Sequence, residues 1–250
     1  KFSMYTTLNY SPNFEPKKRK LSDIKFIIFH YTGMRNEKSA INKLTNLKSK
    51  VSCHYFIKKN GEIIHMVPDK FVAWHAGISC WKNHKNLNHE SIGIEIQNSG
   101  HSNKYEKFPT KQLNSLLFLS QVLKKKYNIK SKNFLGHSDI APTRKKDPGE
   151  KFPWKYLSKH KIGLWHELDQ KILIKNRNLK TSNIDTRSFV KNLFKIGYLI
   201  KAPKNYNLSN TQYIKILTKA FQRRFRQELV NGIIDQECLI ISENLAKKLN

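Results

Sequence analysis

The spacing of apolar and polar residues in the first part of the chain predicts strands and helices in alternation. Residues 24–32, IKFIIFHYT, form an unbroken apolar and aromatic run of strand length, and His30 lies near its end. A short helix is predicted around residues 39–48. Residues 51–68 then alternate on either side of an Asn-Gly pair, which is typical of a hairpin with a two-residue turn.

The same alternation continues to about residue 140. Residues 91–98, SIGIEIQN, predict a strand that buries its isoleucines on one face and carries Glu95 on the other. Thr110 is the expected N-cap of an amphipathic helix that extends to about Ile129. The apolar face of this helix is expected to contain Leu113, Leu116, Leu117 and Ser120. A short strand is expected within residues 133–140, and it leads into a loop.

Two domains are predicted. The first spans residues 1–175 and begins with an irregular arm, residues 1–23, whose basic run at 17–20 is expected to be solvated. A polar stretch, 175–183, is the expected linker to a C-terminal domain of residues 183–250. Apolar residues at helical spacing predict three short helices there, around residues 187–199, 211–225 and 241–249. Because strands and helices interleave, the predicted fold is α/β, with a central mixed β-sheet flanked by helices and a small C-terminal three-helix domain.

The net charge is the most distinctive feature of the composition. The 250 residues include 47 Lys and Arg but only 18 Asp and Glu, which gives a formal net charge of +29 at pH 7. Such a chain is attracted to polyanions, which include nucleic acids, anionic membranes and acidic cell-wall polymers. The basic residues are spread along the chain and do not alternate with aromatic residues in one stretch. We therefore predict no nucleic-acid partner.

Other features limit the class of protein. No run of about 18 apolar residues is present, so no transmembrane helix is predicted. The three cysteines, Cys53, Cys80 and Cys238, form no CxxC pair, which argues against both a cysteine zinc finger and a disulfide-built domain. The chain begins with Lys, so we expect a processed or trimmed N-terminus, a state compatible with an upstream signal peptide or lipid anchor.

Candidate chemistry concentrates in residues 136–154, GHSDIAPTRKKDPGEKFPW. His137 and Asp147 lie ten positions apart around three adjacent basic residues, and buried salt bridges, a phosphate-binding patch and a metal site are all consistent with this composition. With His30, whose burial in an apolar strand needs a polar partner, they supply two imidazoles and one carboxylate. This is the donor set of a hydrolytic zinc site with an open fourth position, and ordinary ion pairing is the alternative. Glu95 is either the partner of a lysine or a general base that faces the metal.

Five separated motifs carry a resemblance to a known family. In chain order they are IIFHYT, VSCHYFIKKNGEI, AWHAG, LNHESIGIEIQN and GHSDIAPTRKKDPG with KFPW. Together they resemble the zinc-dependent N-acetylmuramoyl-L-alanine amidases of type 2, which share their fold with phage lysozyme-type amidases and peptidoglycan recognition proteins. The resemblance covers residues 24–165. In the tail, AFQRRFR followed by NGIID resembles the C-terminal peptidoglycan-binding-like helical domain of the enterobacterial envelope member of this family.

The resemblance implies a role for each site residue. One zinc ion per chain would be held by His30, His137 and Asp147. Glu95 would be the catalytic acid and base, Lys145 would face the developing oxyanion, and His75 in AWHAG would line the substrate groove. Asp139 would be a structural carboxylate. Phage relatives carry a cysteine where this chain has Asp147, which places the chain in the bacterial, aspartate-ligated branch, and Cys53 replaces a smaller residue and is expected to serve packing.

The implied reaction is hydrolysis of the amide bond between N-acetylmuramic acid, including its anhydro form, and L-alanine. The implied partners are peptidoglycan and muropeptides, and a monomer is favoured. The tail and the non-Met start favour the bacterial cell envelope, in the periplasm or in peripheral or lipid-anchored association with the outer membrane. The alternatives are a cytosolic amidase that recycles anhydro-muropeptides and a peptidoglycan-binding protein without catalytic activity.

Overall fold

The computed structural model describes residues 6–199, 201 and 206–249. Its strands are β1 (Thr6–Leu8), β2 (Phe14–Glu15), β3 (Phe26–Tyr31), β4 (Tyr55–Ile57), β5 (Ile63–His65), β6 (Val72–Ala73), β7 (Cys80–Trp81), β8 (His84–Lys85), β9 (Ser91–Ile96) and β10 (Phe134–Gly136). Six of them form a central sheet in the order β1-β5-β4-β9-β3-β10. Only the β4–β5 hairpin is antiparallel within this sheet, so the predicted mixed sheet is confirmed.

Helices cover both faces of the sheet. They are α1 (Glu37–Thr45), α2 (Thr110–Tyr127), α3 (His137–Ile140), α4 (Trp154–Lys159), α5 (Gln170–Asn176), α6 (Asn183–Ile196), α7 (Asn210–Phe225) and α8 (Gln236–Lys247). On one face, α2 packs Leu116, Leu119 and Leu123 against the isoleucines of β9, as the alternation of that strand predicts. Helix α1 and the C-terminal helices contact different parts of the opposite face.

The C-terminal helices share a hydrophobic core with the sheet. Phe26 and Ile28 of β3 are fully buried in one cluster with Leu193 of α6 and with Leu217 and Phe221 of α7. The three predicted helices are confirmed. Helix α5, which the sequence places in the first domain, also packs against α8. The predicted division at residues 175–183 therefore crosses a continuous core, and only residues 177–182 form the connection between α5 and α6.

The N-terminal arm is more ordered than predicted. Strand β1 extends the central sheet by parallel pairing with β5, and β2 pairs with β6. Arg19, expected to be solvated, donates hydrogen bonds to the backbone carbonyls of Asp69, Asn88, His89 and Ser91. Lys17, Lys18 and Lys20 are exposed as predicted, and the prediction of a solvated basic run was wrong for Arg19 alone. One guanidinium can satisfy several carbonyls at loop ends, and the local sequence does not show which carbonyls need a donor.

Two local predictions also need correction. Thr110 is the first residue of α2 and not its N-cap, because Pro109 takes the extended cap conformation and supplies no side-chain cap. The β4–β5 hairpin closes with a three-residue loop, since Lys58 N–H donates to the Glu62 carbonyl at 2.9 Å. Within that loop Gly61 adopts a φ of 90°, a conformation that favours glycine.

Candidate metal centre and active site

The candidate site lies at the carboxyl ends of two neighbouring parallel strands. His30 of β3 and Glu95 of β9 are paired in register, so their side chains leave the same face of the sheet side by side. Crevices at the carboxyl ends of parallel strands are common ligand sites in α/β folds. Here a cavity of about 390 Å³ opens at that edge, and its lining includes Glu95, His137 and Asp147.

Three buried side chains from separate segments meet beside this cavity. His30 Nδ1 lies 2.9 Å from His137 Nδ1 and 3.2 Å from Asp147 Oδ2, and His137 Nδ1 lies 3.0 Å from the same oxygen. Among the residues described, this is the group that could hold a metal ion. The structure thus brings together the three residues that the sequence singled out as ligands.

The dimensions and charges of this group fit zinc. Ligand atoms of a tetrahedral zinc ion, at about 2.0–2.1 Å from the metal, lie about 3.3 Å apart, and the three separations here are only slightly shorter. Burial, together with His137, lowers the pKa of His30 to about 4, so its imidazole is neutral at pH 7. Burial alone would raise the pKa of Asp147, but the two histidines more than offset it, and the carboxyl group stays ionised.

His75 and Ser91 determine the tautomer of His30. The Ser91 hydroxyl donates to the Leu87 carbonyl at 2.5 Å, so its oxygen accepts from His75 Nε2–H at 3.2 Å. His75 Nδ1 is then a lone-pair acceptor, and His30 Nε2–H donates to it at 3.0 Å. The remaining nitrogen of His30, Nδ1, therefore presents its lone pair to Asp147 and the metal position.

Strand β9 provides the space for this arrangement. Ser91, Gly93 and Glu95 share one face of the strand, and a Cβ at Gly93 would lie 2.4 Å from the His75 ring. Glycine at this position therefore allows the imidazole to pack against the backbone. Burial, and after it the proximity of His30, holds the pKa of His75 well below its ordinary value, so the ring is neutral.

The backbone of the loop that carries His75 orients the second imidazole of the candidate site. His137 Nε2 lies 3.1 Å from the Ala76 carbonyl, to which it donates, and this leaves Nδ1 free for a metal. Arg144 also donates to the Ala76 carbonyl. The strand expected within residues 133–140 is β10, which stops at Gly136, and His137 is the first residue of α3.

Glu95 lies in the cavity with an unsatisfied carboxyl oxygen. Its Oε2 is buried and has no hydrogen-bond partner among the described residues. Burial and the negative charge of Asp147 raise the pKa of Glu95 to about 8, and Lys145 acts in the opposite direction. The alternative that Glu95 pairs with a lysine is not observed, since no salt bridge joins it to any residue within 6–199, 201 and 206–249.

Basic side chains surround the mouth of the cavity. Arg144, Lys145 and Lys146 all contribute to its lining, as does Lys43 from α1. Lys145 is close enough to lower the pKa of both His30 and Glu95. Lys145 and Lys146 form no ion pair in the part of the chain that the structure describes, so their charges are available to an anionic ligand.

The contributions of Ser91 and Ala76 were not foreseen from the sequence. Ser91 stands two positions before Gly93 on the polar face of β9, and that alternation is the only signal that points to it. The Ala76 carbonyl has no sequence signal, since every residue carries one. Asp139 has the structural role expected of it, and its carboxylate accepts hydrogen bonds from Tyr198, Arg224 and the Gly136 backbone.

Comparison with known proteins defines the family. The model of the family Amidase_2, N-acetylmuramoyl-L-alanine amidase, matches residues 20–150. The chain therefore belongs to the N-acetylmuramoyl-L-alanine amidases. It is a hydrolase, and its reaction is cleavage of the amide bond between N-acetylmuramic acid and L-alanine.

Similar proteins extend this assignment over the whole chain. The N-acetylmuramoyl-L-alanine amidase AmiD of Escherichia coli K12 is 34% identical over 237 residues, which are 90% of this chain and 83% of AmiD. The structure of AmiD with anhydro-N-acetylmuramic acid-L-Ala-D-γ-Glu-L-Lys aligns with a TM-score of 0.78 at 32% identity, over 94% of this chain and 92% of that one. AmpDh3 of Pseudomonas aeruginosa aligns with a TM-score of 0.77 at 29% identity, over 99% of this chain and 97% of that one.

Another relative matches a smaller share of the chain. The 1,6-anhydro-N-acetylmuramyl-L-alanine amidase AmpD of Haemophilus influenzae is 32% identical over 167 residues, which are 59% of this chain and 88% of AmpD. The alignments with AmiD and AmpDh3 are broad enough to include the C-terminal helices. That these helices bind peptidoglycan stays a prediction.

Proposed function

We propose that this amidase depends on one zinc ion held by His30, His137 and Asp147, and that it acts on peptidoglycan and its fragments, including anhydro-muropeptides. The observation that supports this most directly is the buried triangle of two imidazole nitrogens and one carboxylate oxygen, with edges of 2.9–3.2 Å, at the wall of a cavity that also contains Glu95. When bound, zinc supplies a Lewis acid that polarises the scissile carbonyl and acidifies water.

Glu95 is the proposed general base and acid. Its free carboxyl oxygen accepts a proton from the attacking water and later delivers it to the departing amine of L-alanine. Burial keeps its pKa high, while Lys145 and a bound cation lower it toward neutrality, the range in which one group can both accept and return a proton.

Lys145 is the proposed oxyanion stabiliser. It lies on the loop that ends in Asp147, it lines the cavity, and its charge is felt at both His30 and Glu95. An ammonium in this position stabilises the negative charge that develops on the carbonyl oxygen. Lys146 lines the same cavity, but its charge is not among the main influences on Glu95.

The basic lining also suits the chemistry of the substrate. Stem peptides carry several carboxylates, and Arg144, Lys146 and Lys43 place positive charge around the cavity. Such a lining attracts the peptide and retains it after cleavage. His75 is proposed to orient His30, because its two ring nitrogens are already engaged by His30 and Ser91.

We place the enzyme in the bacterial cell envelope. The support is the similarity to AmiD over 90% of this chain, whereas AmpD of Haemophilus influenzae matches 59% of it. In the described part of the chain, the structure contains no helix of the length and apolar character needed to span a bilayer.

The decisive experiment measures peptide release and metal content together. The purified protein is expected to contain one equivalent of zinc and to release free stem peptide from an anhydro-muropeptide. Chelation should stop release and added zinc should restore it. Zinc binding without peptide release would support a non-catalytic peptidoglycan-binding protein. Release that persists after complete removal of metal would refute zinc dependence.

A further inference from the structure

A buried ion pair connects the C-terminal helices to the segment that carries His137. Arg224 of α7 and Asp139 of α3 are both only 2% exposed, and Arg224 donates to Asp139 Oδ2 at 2.5 Å. These residues are 85 positions apart in the sequence. Tyr198, which follows α6 and is also buried, donates its hydroxyl to the other carboxylate oxygen at 2.7 Å.

The contacts of this pair surround the peptide that leads into His137. Asp139 Oδ2 accepts from the Gly136 N–H at 2.8 Å, and Arg224 donates with its second nitrogen to the Phe134 carbonyl at 2.9 Å. Arg224 therefore holds the end of β10 and the first turn of α3 together. Its guanidinium also lies 4.2 Å from the ring centre of Trp154, which fixes its plane.

The same segment is packed against the third proposed ligand. A Cβ at Gly136 would lie 2.7 Å from Pro148 Cδ, so the Gly136 backbone packs closely against the Pro148 ring. Ser138 N–H donates to the Asp147 carbonyl at 2.8 Å. A displacement of α3 would therefore move the His137 side chain and the backbone of Asp147 together.

From these contacts we infer that Arg224 and Tyr198 are positioning residues for the metal site, and that they act by clamping Asp139. The C-terminal helices thereby become a structural part of the active site. A buried ion pair adds little net stability over apolar packing, because the desolvation of both charges offsets their attraction. The directional hydrogen bonds of the pair instead specify one orientation of α3. This inference rests on the proposed zinc site.

A measurement of zinc affinity distinguishes residues that position the metal site from residues that only stabilise the fold. Supporting contacts of metal ligands typically change affinity by about 10–100-fold when they are removed. We expect Tyr198→Phe, which keeps the ring and removes one hydrogen bond, to weaken zinc binding about 3-fold, and Arg224→Met to weaken it about 10-fold. Affinity is measured by competition with a chelator at a temperature where each metal-free variant is folded. The visible spectrum of the cobalt(II) form should change in the same variants.

Arg226 provides the matched control. It is buried near the end of the same helix and pairs with Asp235 and Asn231, which belong to the segment before α8. Arg226→Met should lower the melting temperature at least as much as Tyr198→Phe does, and leave zinc affinity and the cobalt spectrum unchanged. If Tyr198→Phe and Arg224→Met bind zinc as tightly as the wild type, the inference is wrong. If the wild type binds no zinc, the proposed metal site itself has failed.

Discussion

His75 Nδ1 lies 3.0 Å from His30 Nε2, on the side of the His30 ring that faces away from Asp147. This contact makes His75, which also lines the cavity as expected, a partner of a proposed metal ligand. It also selects the tautomer in which His30 Nδ1 is free to bind zinc, because Ser91 already occupies the other nitrogen of His75.

His75→Ala is therefore expected to weaken zinc binding about 10–100-fold, since His30 loses the acceptor that orients its ring. Ser91→Ala should have a smaller effect in the same direction, because the imidazole remains in place. Competition with a chelator measures both affinities. A His75→Ala enzyme with unchanged zinc affinity and a raised KM would instead assign His75 to substrate binding.

Glu95→Gln is expected to lower kcat about 10²–10⁴-fold while one equivalent of zinc remains bound. The amide keeps the shape of the side chain but cannot accept the proton of the attacking water. Peptide release from an anhydro-muropeptide and the zinc content of the purified variant are measured on the same sample. Activity near that of the wild type would remove Glu95 from the mechanism.

The raised pKa of Glu95 predicts a pH-dependent stability of the metal-free protein. The pKa rises from its ordinary value of 4.5 to about 8, so the folded state binds this proton more tightly than the unfolded state does. Below pH 4.5 the carboxyl group is protonated in both states, so it does not lower the free energy of unfolding. As the pH rises toward 8, the unfolded state loses this proton first, and the free energy of unfolding falls. Each pKa unit corresponds to about 1.4 kcal/mol, so removal of the charge should stabilise the protein at pH 8.

Thermal unfolding with a chelator present tests this expectation. The melting temperature of Glu95→Gln should exceed that of the wild type by roughly 5 °C or more at pH 8, and by little at pH 4.5. Glu62→Gln is the control, because a hydrogen bond from Lys58 lowers the pKa of Glu62, and its loss should not stabilise the protein at pH 8. Equal stabilisation by Glu95→Gln at both pH values would contradict the assigned pKa.

Lys145→Ala is expected to lower kcat about 10²–10³-fold with little change in zinc affinity, because it removes one stabilising group from the oxyanion. Lys146→Ala is the matched control, since this neighbour lines the same cavity but is not among the main influences on Glu95. Its effect should fall mainly on KM, through weaker attraction of the peptide. The reverse result would exchange the roles of the two lysines.

Much of the architecture follows from local pattern. The alternation in SIGIEI predicts that Ile92, Ile94 and Ile96 are buried together and that Glu95 leaves the other face, and the structure has this arrangement. The predictions failed where a residue forms hydrogen bonds with groups that are distant in the sequence. Arg19 belongs to a basic run that looks solvated, yet it binds four carbonyls from two distant loops.

The AFQRRFR motif is a second example in which the local sequence does not predict the partners of a basic residue. In the sequence it is a basic stretch of a helix, and its resemblance suggested a peptidoglycan-binding domain. In the structure, Arg224 and Arg226 are both buried, one against Asp139 and the other against Asp235. The two arginines are two positions apart but form ion pairs with different carboxylates. The sequence of the helix alone does not predict either partner.

The sequence by itself determined the donor types, the strand that presents Glu95 and the order of the motifs, because residue chemistry and side-chain periodicity are local properties. Only the tertiary structure decided which nitrogen of His30 faces the metal position, which residues orient it, and that Arg224 supports the segment of His137. These outcomes depend on hydrogen bonds between distant groups, such as His30 and His75 at 45 positions and Arg224 and Asp139 at 85 positions, and the packing of the complete fold selects these partners.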